Sequence, residues 1–421
     1  MPFHPDESTQ LYMSADFEQI LTNPLIMAWE ENDSVSNITR YRLLDAPLTR
    51  YLLGFGRTLF SIPPPPSDWD WSASWEQNQR NGSLPNDRML ILGRLIVASL
   101  FPLGLILLYR ISIAIDGRWL GIFTVLLFSF NAIILLHTRR AMAEGTLVFG
   151  VILTLYALIF ADKRPLLAGL AVAIAFNAKQ SAVVLLPIGL LAVCWIPEKK
   201  FRNLSSLASN SAKYLAGFVL LTALLNPFLW RHPISAAQEA LHLRQDLLER
   251  QVADYEHLAP GQVLKSPADR SAGLLAQLFF TPPLFSEVGN YRENTEAAES
   301  IYLLSPGRQL WRNSTSGIVL FGLTILGVAV SVRASFQSGN PKRRLLVLYL
   351  LVLLAMVVGI ITMIPLPWQR YSISLIPIIT IFICFGFVWL IKNSRRIYSH
   401  GKLSARLSQV LSQLAPDSWM S

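Results

Sequence analysis

Residues 344–364 read RLLVLYLLVLLAMVVGIITMI, an uninterrupted apolar run whose only charge is its first residue, Arg344. A helix needs about 20 consecutive apolar residues to cross the hydrocarbon of a bilayer. Similar runs recur along the chain, at residues 89–113, 118–136, 145–161, 165–177, 182–196, 213–230, 314–332 and 371–391. The pattern predicts an all-α polytopic membrane protein with about nine transmembrane helices, together with interfacial helices in its outer-face loops.

The composition agrees with a membrane protein. The 421-residue chain is 52% hydrophobic and only 15% charged, whereas soluble domains contain about 25% charged residues. The net charge of +9 is explained by basic cytoplasmic loops, so we expect no nucleic-acid partner. Both cysteines, Cys194 and Cys384, fall within apolar runs, which favours neither a disulfide framework nor a metal site.

Lysine and arginine are unequally divided between the segments that connect the apolar runs. The short segments of one set carry four, Arg139, Arg140, Lys179 and Arg370. The other set carries 17: Arg110, Arg118, Lys163, Arg164, Lys199, Lys200, Arg202, Lys213, Arg333, Lys342, Arg343, Arg344, Lys392, Arg395, Arg396, Lys402 and Arg406. Cytoplasmic loops are enriched in these residues, so the second set is predicted to be cytoplasmic. The count requires that residues 165–196 form two short spans rather than one broken helix.

This orientation divides the chain into five parts. They are an outer-face loop (1–88), a transmembrane bundle (89–230), a second outer-face loop (231–313), a second bundle (314–391) and a cytoplasmic tail (392–421).

The outer-face loops contain their own structural signals. Apolar residues in 10–30 have helical spacing and predict an amphipathic helix on the membrane surface. Trp69, Trp71 and Trp75 are typical of an interfacial aromatic belt, and residues 235–256 predict a helix.

Charged residues on the predicted outer face form the candidate site. Asp6 and Glu7 lie in Phe3-His4-Pro5-Asp6-Glu7, before the first apolar run. Glu144 precedes the third run and completes three carboxylates, and the cations are Arg139, Arg140, Lys179 and Arg370. Ionisable groups at membrane depth are costly and usually face a cavity or pair with one another.

These residue types fit the transfer of a sugar from a lipid phosphate to an acceptor hydroxyl. A carboxylate removes the proton of the hydroxyl. Arginine and lysine stabilise the departing phosphate, whose negative charge grows as the bond breaks.

Simpler interpretations exist for each residue. Pro5-Asp6-Glu7-Ser8 is also a helix start, the arginines are also membrane anchors, and Glu144 also serves as their ion-pair partner. His4 is expected to be solvated or to support the site indirectly.

In these motifs the chain resembles the GT-C glycosyltransferases, polytopic enzymes that use lipid-phosphate-linked sugars. The nearest branch is the protein O-mannosyltransferase and aminoarabinose-transferase type. The matching segments are Phe3-His4-Pro5-Asp6-Glu7, Asp45-Ala46-Pro47-Leu48-Thr49-Arg50-Tyr51, Arg94, Arg139-Arg140-Ala141-Met142-Ala143-Glu144, Lys179 and Arg370-Tyr371-Ser372. The Asp-Glu motif of that family follows its first span, and that span is expected to be missing here.

The resemblance implies a role for each matched residue. Asp6 is the expected catalytic base, with Glu7 as its partner and Glu144 as a second acidic group near the acceptor. Lys179, Arg370, Tyr371, Arg139 and Arg140 are expected to bind the phosphate of a dolichyl- or undecaprenyl-phosphate sugar. The reaction would invert the anomeric carbon, on the outer face of the plasma or inner membrane. The resemblance leaves open whether a divalent cation bridges Asp6 and Glu144.

Three other interpretations remain open: a lipid-linked glycan flippase or polymer ligase, a transporter, and a catalytically inactive relative. Transporters often contain inverted repeats and paired broken helices near the bilayer midplane. The sequence contains no visible repeat, and its acidic pair lies in a predicted outer loop, which favours the glycosyltransferase.

Overall fold

The computed structural model describes residues 2–31, 36–195, 204–287, 289–304, 312–337 and 339–399, with side chains as far as residue 394. Several basic residues of the predicted cytoplasmic set lie outside the described residues or side chains: Lys199, Lys200, Arg202, Arg395, Arg396, Lys402 and Arg406. The same is true of residues 400–421 in the predicted tail.

The described residues form helices and contain no β-strand, which confirms the all-α prediction. The segments predicted to lie on the outer face contain α1 Pro5–Met13, α2 Asp16–Thr22, α3 Asn37–Leu44, α4 Leu48–Leu59 and α5 Trp75–Arg80, then α14 Pro233–Leu258, α15 Pro267–Leu275 and α16 Arg292–Leu304. The apolar part contains α6 Asp87–Ala98, α7 Leu100–Asp116, α8 Arg118–Ser129, α9 Ala132–His137, α10 Ala143–Leu158, α11 Pro165–Ala178, α12 Leu185–Cys194, α13 Leu204–Leu225, α17 Ser314–Phe336, α18 Arg343–Met363, α19 Gln369–Ser372 and α20 Ile376–Ser399. Short 3₁₀ helices (Pro24–Met27, Gln180–Val184, Pro227–Leu229, Ile373–Leu375) and a π-helical turn (Ala276–Phe280) connect them.

Each of the nine predicted apolar runs coincides with one or more helices in the part of the chain that the structure describes, and the run 118–136 is divided at residues 130–131 between α8 and α9. By length and composition, five helices of the described chain could cross a membrane: Asp87–Asp116, Leu204–Leu225, Ser314–Phe336, Arg343–Met363 and Gln369–Ser394. Four shorter apolar helices accompany them, Arg118–Ser129, Ala143–Leu158, Pro165–Ala178 and Gln180–Cys194. These helices identify an integral membrane protein.

Glycines allow two helix pairs of the bundle to pack closely. A Cβ atom on Gly327 of α17 would meet the carbonyl oxygen of Phe382 in α20, and one on Gly386 would meet the carbonyl oxygen of Leu323. Helices α11 and α13 make a similar contact at Gly169. Without a hydrophobic force between helices in lipid, small residues of this kind hold membrane helices together by close backbone contact.

Ion pairs connect the bundle at the end opposite the candidate site. Asp116, the last residue of α7, pairs with Lys392 of α20 at 2.6 Å and with Lys342 at 3.7 Å. Asp162, after α10, pairs with Arg344 of α18 at 2.7 Å. Some of the basic residues counted as cytoplasmic therefore also join neighbouring helices.

Residues 10–30 do not form the single amphipathic helix that their spacing predicted. They are divided between α1, α2 and the 3₁₀ helix Pro24–Met27. The chain turns at Ser14, whose carbonyl oxygen lies so close to Gly54 of α4 that a Cβ there would collide with it. Arg57 of α4 pairs with Glu18 of α2 at 2.9 Å. Packing against α4 thus overrides the helical spacing.

Trp69 does not belong to an interfacial aromatic belt. It is buried, and its ring centroid lies 5.5 Å from that of Phe3 and 5.4 Å from that of Trp75. Its indole Nε1–H donates to Asn290 Oδ1 at 3.1 Å. The tryptophan therefore packs the start of the chain against the loop that follows Thr281.

Candidate active site

Lys179 lies at a break between two apolar helices. Helix α11 ends at Ala178, Lys179 is extended (φ −158°, ψ 127°), and the 3₁₀ helix Gln180–Val184 follows. The buried amide of Asn177 stabilises this break by donating to the carbonyl oxygen of Ala173 at 2.8 Å and to Thr222 Oγ1 of α13 at 3.1 Å. Buried polar groups in a membrane bundle need such partners. The break directs Lys179 toward the first turn of α10.

Lys179 Nζ donates to Glu144 Oε1 at 2.7 Å. Glu144 lies in the first turn of α10, where the helix dipole favours a negative charge. Its side chain is nearly fully buried, whereas Lys179 remains 24% exposed. The Lys179 ammonium also lies 5.4 Å from the ring centroid of Tyr371. Glu144 therefore serves as an ion-pair partner, as its simpler interpretation predicts. Its partner is Lys179, however, and not one of the two arginines.

Arg370 lies between two carboxylates. It forms an ion pair with Asp6 through one terminal nitrogen and with Glu287 at 3.1 Å through the other. Its guanidinium carbon lies 4.7 Å from the ring centroid of Trp368 and 5.8 Å from that of Tyr371. Because Arg370 and Lys179 both lie against Tyr371, the two cations are neighbours. We call Asp6, Glu144, Lys179, Glu287 and Arg370 the charged site.

Gln369 positions Arg370 against the loop that carries Glu287. The buried Gln369 amide donates to the carbonyl oxygen of Pro282 at 2.6 Å, and its Oε1 accepts from the Leu284 N–H at 2.9 Å. From the other side, Gln277 Nε2 donates to the carbonyl oxygen of Pro367 at 2.9 Å. These contacts hold the segments 281–287 and 365–370 together.

His4 connects Asp6 to the same loop. The Asp6 N–H donates to His4 Nδ1 at 3.1 Å, so Nδ1 is unprotonated. Burial and the nearby Arg140 and Arg370 hold the pKa of His4 well below 6.5. The neutral imidazole therefore carries its proton on Nε2, which lies 3.0 Å from Tyr291 Oη. Tyr291 Oη also accepts the Glu287 N–H at 3.0 Å. His4 is thus buried rather than solvated. Directly and through Tyr291, it connects the backbones of Asp6 and Glu287, the two residues that pair with Arg370.

Glu7 lies next to Asp6 in sequence but not on Arg370. Its buried carboxylate accepts from Arg94 Nε at 2.8 Å and Nη2 at 2.7 Å, from the Ala141 N–H at 2.9 Å and from the His4 N–H at 3.1 Å. The helix-start interpretation is therefore correct for Glu7. The residue also joins α1 to α6 and to the segment before α10.

The two adjacent arginines of Arg139-Arg140 have different environments. Arg140 is buried and donates to the carbonyl oxygen of Phe285 at 2.7 Å, which supports the Glu287 loop. Arg139 is exposed. The structure brings only Arg140 against the charged site.

Asp6 and Glu144, the two carboxylates considered above as ligands of a bridging divalent cation, are each paired with a cationic side chain. Asp6 contacts Arg370 through Oδ2, and Glu144 accepts from Lys179 at Oε1. Within the described ranges, no three His, Cys, Asp or Glu side chains cluster as metal ligands. Arg370 and Lys179 thus supply positive charge to these two carboxylates.

Three residues of this arrangement were not identified from the sequence as site residues: Glu287, Tyr291 and Gln369. Glu287 lies in the long polar segment 231–313 among many other acidic residues, with no periodicity to distinguish it. The turn residues Pro282-Pro283 and Gly289-Asn290 around it were the available signal. They indicate an irregular, ordered loop but do not show where it packs.

No family model matches this sequence, and no curated protein matches it. Solved structures of an oligosaccharyltransferase from the archaeon Archaeoglobus fulgidus do match. Its apo form superposes with a TM-score of 0.50 at 11% identity, over 97% of this chain and 48% of that chain. Its complex with zinc and sulfate has a TM-score of 0.47 at 12% identity, over 86% of this chain and 42% of that one.

The same archaeal enzyme in complex with an inhibitory peptide and a dolichol-phosphate has a TM-score of 0.46 at 11% identity, over 94% of this chain and 52% of the other. The chain thus spans about half the length of the solved structures that it matches. At this identity the likeness to the apo form establishes the fold, and it confirms that this chain has the all-helical GT-C-like fold expected from its motifs.

Proposed function

We propose that the protein is a membrane glycosyltransferase that moves a sugar from a polyprenyl-phosphate donor to an acceptor hydroxyl. The observation that carries the proposal is the neighbouring pair of cations, Arg370 and Lys179, on the ring of Tyr371. Each cation has a carboxylate in contact, Asp6 or Glu287 on Arg370 and Glu144 on Lys179. Phosphate binding and proton removal can therefore occur side by side. The fold shared with an oligosaccharyltransferase supports this choice of reaction.

In this proposal Arg370 and Lys179 bind the donor phosphate. Arginine matches phosphate oxygens with two parallel hydrogen bonds, and lysine adds a compact charge. As the bond between the anomeric carbon and the phosphate oxygen breaks, its electron pair stays on the phosphate. The two cations stabilise this growing charge, and preorganised charges in a partly buried site do so strongly.

Asp6 is the proposed base. Its side chain is 33% exposed, so an acceptor can reach it, whereas Glu144 is 3% exposed. The Asp6 carboxylate takes the proton of the acceptor hydroxyl while the oxygen attacks the anomeric carbon from the side opposite the phosphate. The configuration therefore inverts. Glu7 has a positioning role, because its oxygens are engaged by Arg94, His4 and Ala141.

We place the charged site at the outer face of the membrane. Glu144, Lys179 and Arg370 lie at one end of their helices, and the basic residues paired with Asp116 and Asp162 lie at the other. Cytoplasmic segments are the basic ones in membrane proteins. The donor would then be a lipid-linked sugar of the outer leaflet.

The test is sugar transfer in proteoliposomes from a panel of radiolabelled polyprenyl-phosphate sugars. A positioned general base contributes about 10²- to 10⁴-fold to rate, so Asp6→Asn should lower transfer by about that factor. The matched control is Asp254→Asn on the exposed side of α14, which should transfer at the wild-type rate. Unchanged transfer by the folded Asp6→Asn protein would exclude Asp6 as the base. Failure of the wild type with every donor would contradict the reaction itself.

A further inference from the structure

The position of Arg370 between Asp6 and Glu287 creates a conflict for the proposed donor. Both carboxylates are in contact with the guanidinium that the donor phosphate must reach. The side chains of Arg370 and Glu287 are 11% and 16% exposed, so water screens their charges only weakly. A phosphate that joins Arg370 would bring a third negative charge to one cation.

Glu287 is poised to relieve that conflict. Burial raises its pKa to about 7, and Arg370 opposes this effect while Asp6 and Glu144 add to it. The charged and titratable groups that face it are Arg370, Asp6, Glu144, Arg140, Tyr255, Tyr291 and Tyr371. Near neutral pH this carboxyl is divided between its two forms, so a modest change in its surroundings protonates it.

The groups next to Glu287 do not change charge near neutral pH. His4 is already neutral because burial, Arg140 and Arg370 hold its pKa well below 6.5. Burial raises the pKa of Tyr291, which therefore remains protonated. Neither of them can compensate the charge of an incoming phosphate.

We propose that Glu287 takes up a proton from solvent when the donor phosphate binds to Arg370, and releases it when the lipid phosphate leaves. This inference rests on the proposed function. Protonation removes the repulsion between Glu287 and the phosphate, and the neutral carboxyl can donate a hydrogen bond to a phosphate oxygen. In this scheme Asp6 keeps its proposed role as base. Glu287 would then be a binding residue that makes donor affinity depend on pH.

The direction in which pH changes donor affinity follows from the proton uptake by Glu287. Because the complex contains the protonated carboxyl, affinity is highest below the pKa of the free site and falls as the pH rises above about 7. A linkage of one proton lowers affinity by up to about tenfold per pH unit. Above that pKa the free carboxyl is mostly ionised, so binding should take up nearly one proton at pH 8 and about half a proton at pH 7.

The experiment measures proton uptake directly. Farnesyl methyl phosphate, a diester without an ionisation near neutral pH, is titrated into the detergent-solubilised full chain by calorimetry at pH 7, 8 and 9. A phosphate monoester is less suitable, because its second pKa is about 6. Running each titration in two buffers of different ionisation enthalpy gives the number of protons bound. We expect close to one proton at pH 8 for the wild type.

Two variants assign the proton. Glu287→Gln should bind without proton uptake, and its affinity should not change between pH 7 and 9. Glu299→Gln is the matched control, since Glu299 is a partly buried glutamate that accepts from the Phe285 N–H and whose pKa burial also raises. It should take up protons like the wild type.

Each outcome bears on one claim. Binding by the wild type without proton uptake overturns the inference and leaves the proposed function standing. Uptake that persists in Glu287→Gln also overturns it. The wild-type measurement decides even if Glu287→Gln fails to fold. No binding at any pH, or binding unaffected by Arg370→Gln, contradicts the proposed function and with it this inference.

Discussion

At the scale of the residue, both cations of the charged site are paired with carboxylates before any substrate binds. Arg370 contacts Asp6 and Glu287, and Lys179 contacts Glu144. Unpaired charges at membrane depth are costly, so this pairing explains how five ionisable side chains remain there. A substrate phosphate has to exchange with carboxylates rather than fill an open cationic pocket.

The guanidinium of Arg370 is expected to be irreplaceable by lysine. Lys at this position keeps the charge but loses the planar fork that contacts two carboxylates and lies over Trp368. A hydrogen bond to a charged group contributes about 1.5–3 kcal/mol. Arg370→Lys should therefore raise the KM for the donor by about one to two orders of magnitude in the proteoliposome transfer assay.

Arg231→Lys provides the matched control for that substitution. Arg231 is 49% exposed and pairs with Glu30 at the surface, so the donor KM of Arg231→Lys should remain at the wild-type value. A wild-type KM for Arg370→Lys would mean that positive charge alone is sufficient at this position. The phosphate-binding geometry proposed for Arg370 would then be wrong.

The sequence predicts four of the five residues of the charged site but not the fifth. Asp6 could be predicted from the acidic pair that it forms with Glu7 before the first apolar run. Glu144, Lys179 and Arg370 could be predicted, because a charge in a short segment next to apolar runs usually faces a cavity or pairs with another charge. Glu287 could not, because acidic residues are common in a long polar loop. Its importance arises from the packing of 281–287 against Gln369, a contact between distant parts of the chain.

At the scale of the element, the charged site lies where helices begin or end. Lys179 lies just after α11, Glu144 in the first turn of α10, and Arg370 in the short helix α19 before the last long helix. The helices themselves were predictable from apolar runs. The positions where helices break were harder to predict. Residues 10–30 have the spacing of one helix but are split by packing against α4.

Helix α20, which follows Arg370 in the chain, is supported by close packing against α17. Gly327→Ala should destabilise the protein, because the new Cβ would collide with the carbonyl oxygen of Phe382, a backbone atom that cannot rotate away. Overpacking of this kind costs about 1–3 kcal/mol. We expect a lower midpoint of thermal unfolding in detergent, followed by intrinsic fluorescence.

Gly322→Ala on the same helix is the matched control. A Cβ there has no atom within 4 Å, and alanine is a better helix former than glycine by up to about 1 kcal/mol. Its unfolding midpoint should be equal to or above that of the wild type. Equal midpoints for the two variants would show that the α17–α20 contact is looser than described.

At the scale of the whole molecule, the two ends of the bundle differ in chemistry. One end brings together the first residues of the chain, the loop after Thr281 and the start of α19. The other end is basic and is joined by the ion pairs of Asp116 and Asp162. Hydropathy predicts the helices and their polarity, but it carries no information on how three distant segments meet at one site.

The central claim is that a lipid phosphate binds between Arg370 and Lys179. The most direct measurement is an electron cryomicroscopy map of the full chain in lipid nanodiscs with added polyprenyl phosphate. The claim predicts phosphate density within about 2.7–2.9 Å of the Arg370 and Lys179 nitrogens, the distance of charge-assisted hydrogen bonds. Phosphate density elsewhere, with the pairs Arg370–Asp6 and Lys179–Glu144 intact, would contradict it.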